Sequence, residues 1–143
     1  MYVVSMSDLD AAAVGPLEER AGRWLRVAAG QLGPIGRHEP KADVVDRLIS
    51  LLEQAASAGV ELLVYPELAL TTFFPRWYVE GLDDLDLDSF YETEMPGPDT
   101  QRLFDEAKRL GVGFCLGYAE LTPDGHRYNT QICLLYTSDA ADD

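Results

Sequence analysis

The feature that most constrains the fold is an amphipathic helix pattern enclosed by two short apolar runs. The first run covers residues 24–31 and is followed by turn-forming Gly and Pro at residues 33–36. A helix pattern then spans residues 40–59, and a second apolar run at 61–65 is stopped by Pro66. A strand–helix–strand unit of this length implies two parallel strands joined by a right-handed crossover. We therefore predict an α/β fold.

The helix pattern also predicts which of its residues are buried. Asp43 near its start suits the positive end of the helix dipole, and Gly59 is placed to cap its end. Apolar residues recur at three- and four-residue spacing and should line one face: Val44, Val45, Leu48, Leu51, Leu52 and Ala55.

The second half of the chain begins with a long connection at residues 67–97, which is rich in aromatic residues. A connection of this length in a compact domain is usually functional, and its aromatic side chains should pack rather than remain disordered. Three further elements and a turn are predicted after it: a helix at 98–110 ended by Gly111, a strand at 112–119 buried on both faces, a hairpin turn at 122–125 and a return strand at 128–135.

Composition excludes several classes of function. The net charge of -14 disfavours a nucleic-acid partner or an anionic membrane surface, because both need clustered Lys and Arg. No apolar run is long enough to span a bilayer, and residues 1–10 lack the pattern of a secretory signal. The chain has two cysteines, which do not make a disulfide scaffold in a chain of this size. They also lack the spacing of metal ligands. We therefore expect a cytoplasmic location.

The chain divides into three segments. Residues 1–22 show no clean period and are interpreted as a loose extension or as a start codon placed too far upstream, whereas residues 23–132 are the expected domain. Within residues 133–143, the string CLLYTSDAAD resembles a translated transposase-type sequencing adapter. On that interpretation the authentic sequence ends near Ile132 and the gene continues. The alternative is a genuine strand followed by an acidic terminus.

Glu67 is the first candidate for chemistry. It follows a strand directly, and Pro66 holds Tyr65 extended. Its carboxylate should therefore stand at the carboxyl end of a parallel strand, where open α/β sheets bind ligands. Nearby apolar residues, Leu68 and Phe73 among them, would suit it to general-base work. On position alone, the alternative is a solvated loop glutamate or a helix cap.

Other reactive residue types have simpler structural interpretations. The acidic run Asp83, Asp84, Asp86 and Asp88 fails the EF-hand pattern, which needs Gly and Glu where Ser89 and Met95 stand, and it is predicted to be a solvated loop. Cys115 lies in an apolar strand and is expected to be a protonated, inert core residue. His38 and His126 are expected on the surface.

Five segments together resemble one enzyme family. They are VAAGQLGPIGR, LLVYPELALTTFFPRW, LDSFYETEMPGP, LGVGFCLGYAEL and RYNT, in that order between residues 24 and 132. They resemble the opening of an N-carbamoyl-D-amino-acid amidohydrolase of the nitrilase superfamily. The tripeptide PEL after a strand is common across that superfamily, whereas PELALTTFFPRW and FYETEMPGP are more specific to the branch.

The resemblance implies the N-terminal part of a nitrilase-type α-β-β-α sandwich with a Glu-Lys-Cys triad. Glu67 matches the family's catalytic glutamate, whereas the lysine and cysteine would lie after the strand that RYNT begins. Lys108, Cys115 and Cys133 match neither of them.

The full-length enzyme would then hydrolyse N-carbamoyl-D-amino acids to a D-amino acid, ammonia and carbon dioxide. It would need no metal or organic cofactor, take a small-molecule substrate and assemble as a homo-oligomer, and the 143-residue chain alone would be inactive. The alternatives are another superfamily branch (an aliphatic amidase, a nitrilase or a β-ureidopropionase) or a non-catalytic α/β binding module.

Overall fold

Five strands form one sheet, in the same order as they occur along the chain. The computed structural model describes residues 3–5, 24–76 and 87–136. Its strands are β1 (Val3–Ser5), β2 (Val27–Ala29), β3 (Leu62–Val64), β4 (Gly113–Leu121) and β5 (Arg127–Leu134). The first four are parallel, and β5 pairs antiparallel with β4. The predicted α/β class and the parallel pair around the first helix are confirmed.

Two helices pack on this sheet, and each lies where the apolar periodicity placed it. Helix α1 (Lys41–Ser57) joins β2 to β3, and α2 (Gln101–Leu110) precedes β4. Gly59 and Gly111 follow the helices at φ of 71° and 67°, the left-handed conformation that favours glycine at a helix end. Of the predicted apolar face of α1, only Leu51 is half-buried and the rest is buried.

The core lies between the helices and one face of the sheet. Leu48 of α1, Leu103 of α2, Leu63 of β3 and Phe114 of β4 are all fully buried there. Because side chains alternate along a strand, Val64 and Cys115 point to the opposite face, where both are half-buried. Between residues 112 and 119 the predicted burial on both faces holds at every position except Cys115.

One strand was not foreseen. The sequence pattern predicts that residues 1–22 are a loose extension or follow a start codon placed too far upstream, yet β1 lies within them and pairs in parallel with β2. Three residues are too few to show a period of two, so this strand is recognisable only from its partner. The remainder of that segment lies outside the described residues, as does the tail from residue 137. No helix in the described part of the chain is long and apolar enough to cross a membrane.

In its described residues, 67–76 and 87–97, the long connection contains two short 3₁₀ helices, Phe74–Arg76 and Leu87–Phe90. The Phe74 ring stacks on the Phe90 ring at a centroid distance of 5.2 Å and contacts Tyr91 at 5.4 Å. The prediction that these aromatic residues pack is confirmed for the three rings, and it is wrong for Phe73, which is 48% exposed. Trp77 and Tyr78 lie outside the described residues.

Candidate functional site

Glu67 lies three residues past the end of β3, at the carboxyl end of this parallel strand, as the sequence predicted. Its side chain is exposed, whereas Leu68 and Leu70 are each only 4% exposed and turn into the core. The expectation of an apolar neighbourhood is therefore wrong. The neighbours in sequence point away from the carboxylate, because the chain turns sharply after Glu67 and separates polar from apolar side chains.

The carboxylate of Glu67 opens into a cavity of about 310 Å³ beyond the end of β3. Two carboxamide side chains from β5 line this cavity together with the carboxylate. Its full lining is Tyr65, Pro66, Glu67, Gly117, Asn129, Thr130 and Gln131. A cavity edged by one carboxylate and two amides suits a small polar ligand that can both donate and accept hydrogen bonds.

Among the described residues, Asn129 is the hydrogen-bond donor to the Glu67 carboxylate. Its Nδ2 donates a hydrogen bond to Oε1 of Glu67 across 62 positions of sequence. Within the described ranges no Lys, Arg or His forms an ion pair with Glu67. Asn129 is a residue of this site that was not predicted from the sequence. The available signal was the hairpin, since the turn at 122–125 sets the register that pairs Asn129 with Ala119.

The backbone around Glu67 is held on both sides by β4. Tyr65 donates its N–H to the Cys115 carbonyl and Ala69 donates to the Gly117 carbonyl, each at 2.9 Å. Between them Leu68 has a φ of 51°, a left-handed conformation that is uncommon for a non-glycine residue. Such strain persists only where surrounding contacts determine the conformation, and here β4 supplies them.

Gly117 allows this close approach. A Cβ built on it would lie 3.0 Å from the Cα of Glu67 and 3.2 Å from the carbonyl oxygen of Pro66. Both neighbours are backbone atoms, which cannot rotate away as a side chain could. Glycine at position 117 therefore lets the chain bearing Glu67 run against β4.

Cys115 does not take part in this site. It faces Cys133 across the β4–β5 pair, with the two Sγ atoms 3.0 Å apart. Burial, followed by the neighbouring Cys133 thiol, raises the pKa of Cys115 to about 11. The prediction of a protonated thiol agrees with this pKa, but its place in the core is wrong, because Cys115 is half-buried on the face away from the helices.

The remaining candidates are dispersed. His38 and His126 are both exposed, as predicted, and Lys108 is exposed on α2. Asp88 is paired with Arg127 at 2.6 Å, whereas the other acids of the predicted solvated run lie outside the described residues. Over the described ranges no three His, Cys, Asp or Glu residues are grouped to hold a metal ion.

Comparison with known proteins shows which family this sequence resembles. Residues 26–138 match the carbon–nitrogen hydrolase family. The chain is 32% identical over 118 residues to a nitrilase from Paraburkholderia phymatum, and the match covers 77% of the chain but 33% of that nitrilase. A glutamine-dependent NAD+ synthetase from Acinetobacter baumannii aligns with a TM-score of 0.48 at 20% identity, over 78% of this chain and 19% of the synthetase chain.

Proposed function

The chain belongs to the carbon–nitrogen hydrolase family, and on that premise we propose that Glu67 is the general base of an enzyme hydrolysing non-peptide C–N bonds. The observation that carries this proposal is the position of the Glu67 carboxylate. It stands at the exit of a parallel strand and opens into a polar cavity of about 310 Å³. The chain spans about a third of the nitrilase that it matches, so the activity of the whole enzyme is part of the proposal.

The proposed chemistry uses a cysteine and a lysine from the part of the enzyme that follows these residues. Glu67 takes the proton from the cysteine thiol, and the thiolate attacks the carbon of the scissile C–N bond. The lysine and a backbone amide stabilise the oxygen anion of the tetrahedral intermediate. As the intermediate collapses, the C–N bond breaks and Glu67 gives its proton to the leaving nitrogen. The covalent acyl-type enzyme that remains is hydrolysed by a water molecule that Glu67 deprotonates, and the cysteine thiol is restored. The 143-residue chain alone should therefore be inactive.

For the substrate we propose an N-carbamoyl-D-amino acid, converted to the D-amino acid, ammonia and carbon dioxide. The longer motifs around Glu67 and in the connection to α2 support this choice, and the amide-lined cavity is compatible with a carbamoyl group. The second candidate is a nitrile, because the relative at 32% identity is a nitrilase. Under either substrate we propose a cytoplasmic homo-oligomer that requires no metal or organic cofactor.

The test is a chimera that joins residues 1–132 to the C-terminal part of the Paraburkholderia phymatum nitrilase, which keeps β1 in the sheet. Ammonia release is measured with N-carbamoyl-D- and L-amino acids, N-carbamoyl-β-alanine, an aliphatic amide and a nitrile. We expect the D-carbamoyl substrates to be fastest. Glu67→Gln should lower kcat at least about a thousandfold, because it removes the base that activates the nucleophile.

Glu53→Gln is the matched control, since Glu53 is an exposed glutamate on α1 outside the cavity. A folded chimera that hydrolyses none of these substrates would contradict the proposed function. An active chimera that is insensitive to Glu67→Gln would instead favour a binding module in which Glu67 is structural. A preference for the nitrile as strong as that of the intact Paraburkholderia phymatum nitrilase would contradict the proposed D-carbamoyl substrate.

A further inference from the structure

Asn129 lies in the proposed site without a role in the proposed mechanism. We infer that Asn129 is a positioning residue, which holds the Glu67 carboxylate in the orientation that proton transfer requires. This inference rests on the proposed function of Glu67. Its first support is the contact itself: the Asn129 amide donates to Oε1 of Glu67, and both side chains line the same cavity.

The hydrogen bond from Asn129 to one carboxylate oxygen of Glu67 leaves the other oxygen available to accept a proton. Across the described ranges, the Asn129 amide is the one hydrogen-bond donor to Glu67, and it reaches Oε1. Oε2 therefore remains to accept a proton. An exposed glutamate side chain otherwise samples several rotamers, and fixing one oxygen restricts the other to a narrow set of positions.

The neutral amide of Asn129 is also a suitable hydrogen-bond donor for a carboxylate that acts as a general base. Asn is neutral at all pH values of interest, so it orients the carboxylate without placing a positive charge beside it. An Arg or Lys in this position would stabilise the anion by charge and weaken it as a proton acceptor.

The support behind Asn129 is rigid. β5 pairs with β4 along eight residue pairs, from Arg127 opposite Leu121 to Leu134 opposite Phe114. The same β4 holds the backbone of Glu67 through the carbonyls of Cys115 and Gly117. Acid and donor are therefore anchored to one strand, and their separation does not depend on a mobile loop.

The first experiment uses the 143-residue chain and needs no activity. The side-chain amide resonances of Asn129 are assigned in ¹⁵N-labelled protein by their loss in Asn129→Leu. We expect them to move on Glu67→Gln, which replaces the charged acceptor, and to remain in place on Glu53→Gln. Resonances that do not respond to Glu67→Gln would overturn the inference.

The second experiment measures catalysis in the chimera described above. Asn129→Leu keeps the approximate size but removes the donor, and should lower kcat about ten- to a hundredfold with little change in KM. Asn129→Ser keeps a shorter donor and should recover part of the loss. Asn129→Asp puts a second carboxyl group beside the first, so the pH–rate profile should change shape, because adjacent carboxyl groups titrate together.

Tyr128→Ala is the control, since Tyr128 is exposed on the same strand and lies outside the cavity. Full activity of Asn129→Leu in an active chimera would overturn the positioning role alone. An inactive parent chimera, with the amide contact observed by NMR, would overturn the proposed function and the role of Asn129 with it.

Discussion

The ammonium group of Lys41, in the first turn of α1, lies 2.5 Å from Oε1 of Glu92 in the connection that leads to α2. The Glu92 side chain is 10% exposed, and its Oε1 receives no well-directed hydrogen bond. The Lys41 charge is therefore what compensates this buried oxygen. Glu92 also donates its N–H to the Ala119 carbonyl at 2.8 Å and forms an isolated parallel bridge with Glu120 of β4, so the ion pair joins α1 to a segment that pairs with β4.

Breaking this pair from the lysine side should destabilise the protein. Lys41→Met leaves the Glu92 carboxylate buried without a counter-charge, and we expect a loss of about 2 kcal/mol in the free energy of unfolding. Glu92→Gln should cost less, because a neutral amide needs less compensation. The measurement is urea denaturation of both variants and of the double variant. A double variant as unstable as the sum of the two single ones would show that the pair does not interact.

Gly117 should not tolerate even the smallest side chain. Gly117→Ala places a Cβ 3.0 Å from the Cα of Glu67, so backbone must shift, and we expect a loss of about 1–3 kcal/mol. Gly36→Ala is the matched control, because its nearest neighbour would be at 3.8 Å, an ordinary contact. The measurement is the denaturation midpoint of each variant, compared with that of the parent protein. Equal stability of Gly117→Ala and the parent protein would mean that the close approach is absent in solution.

The buried phenol of Tyr65 should make stability fall in alkaline solution. Burial raises the pKa of Tyr65 above its ordinary value, and its hydroxyl donates a hydrogen bond to the Leu48 carbonyl at 2.7 Å. Because the unfolded phenol ionises first, this contribution to stability is complete below about pH 10 and is lost as the pH rises above it.

Tyr65→Phe should therefore cost about 1 kcal/mol at neutral pH and flatten the decline above about pH 10. Denaturation curves at several pH values measure both effects. Tyr128→Phe, at an exposed position, should change the free energy of unfolding by less than about 0.5 kcal/mol. A decline as steep in Tyr65→Phe as in the parent would refute the assignment to this phenol.

Cys115 and Cys133 should form a disulfide when the chain is treated with oxidised glutathione. Cys133 is exposed, so its thiolate attacks first and releases one glutathione thiol. The Cys115 sulfur, 3.0 Å away, then displaces the second glutathione. The protein loses two hydrogen atoms, and the glutathione disulfide is reduced to two thiols.

Intact-protein mass spectrometry distinguishes this cross-link from a mixed disulfide. In Cys133→Ser we expect Cys115 to react slowly near neutral pH, because burial still raises the pKa of its thiol above the ordinary value and leaves little thiolate. Its reaction should accelerate as the pH rises. A lasting glutathione adduct on Cys133 in the parent chain would be incompatible with the pairing.

Apart from β1, the local pattern of the sequence by itself determined the strands of the sheet and its two helices. The spacing of apolar residues predicted α1 and α2, and a glycine predicted the end of each helix. The turn at 122–125 predicted the final hairpin. These signals are readable because each depends on residues within a few positions of one another. The position of Glu67 at a strand exit was predictable for the same reason.

What the tertiary structure alone decided is the surroundings of that carboxylate. Asn129 is 62 positions from Glu67 and reaches it only because β5 folds back along β4. The need for glycine at 117 likewise follows from how closely β4 passes the segment that carries Glu67. Such contacts depend on register and on close packing between distant segments, which no periodicity along the chain encodes.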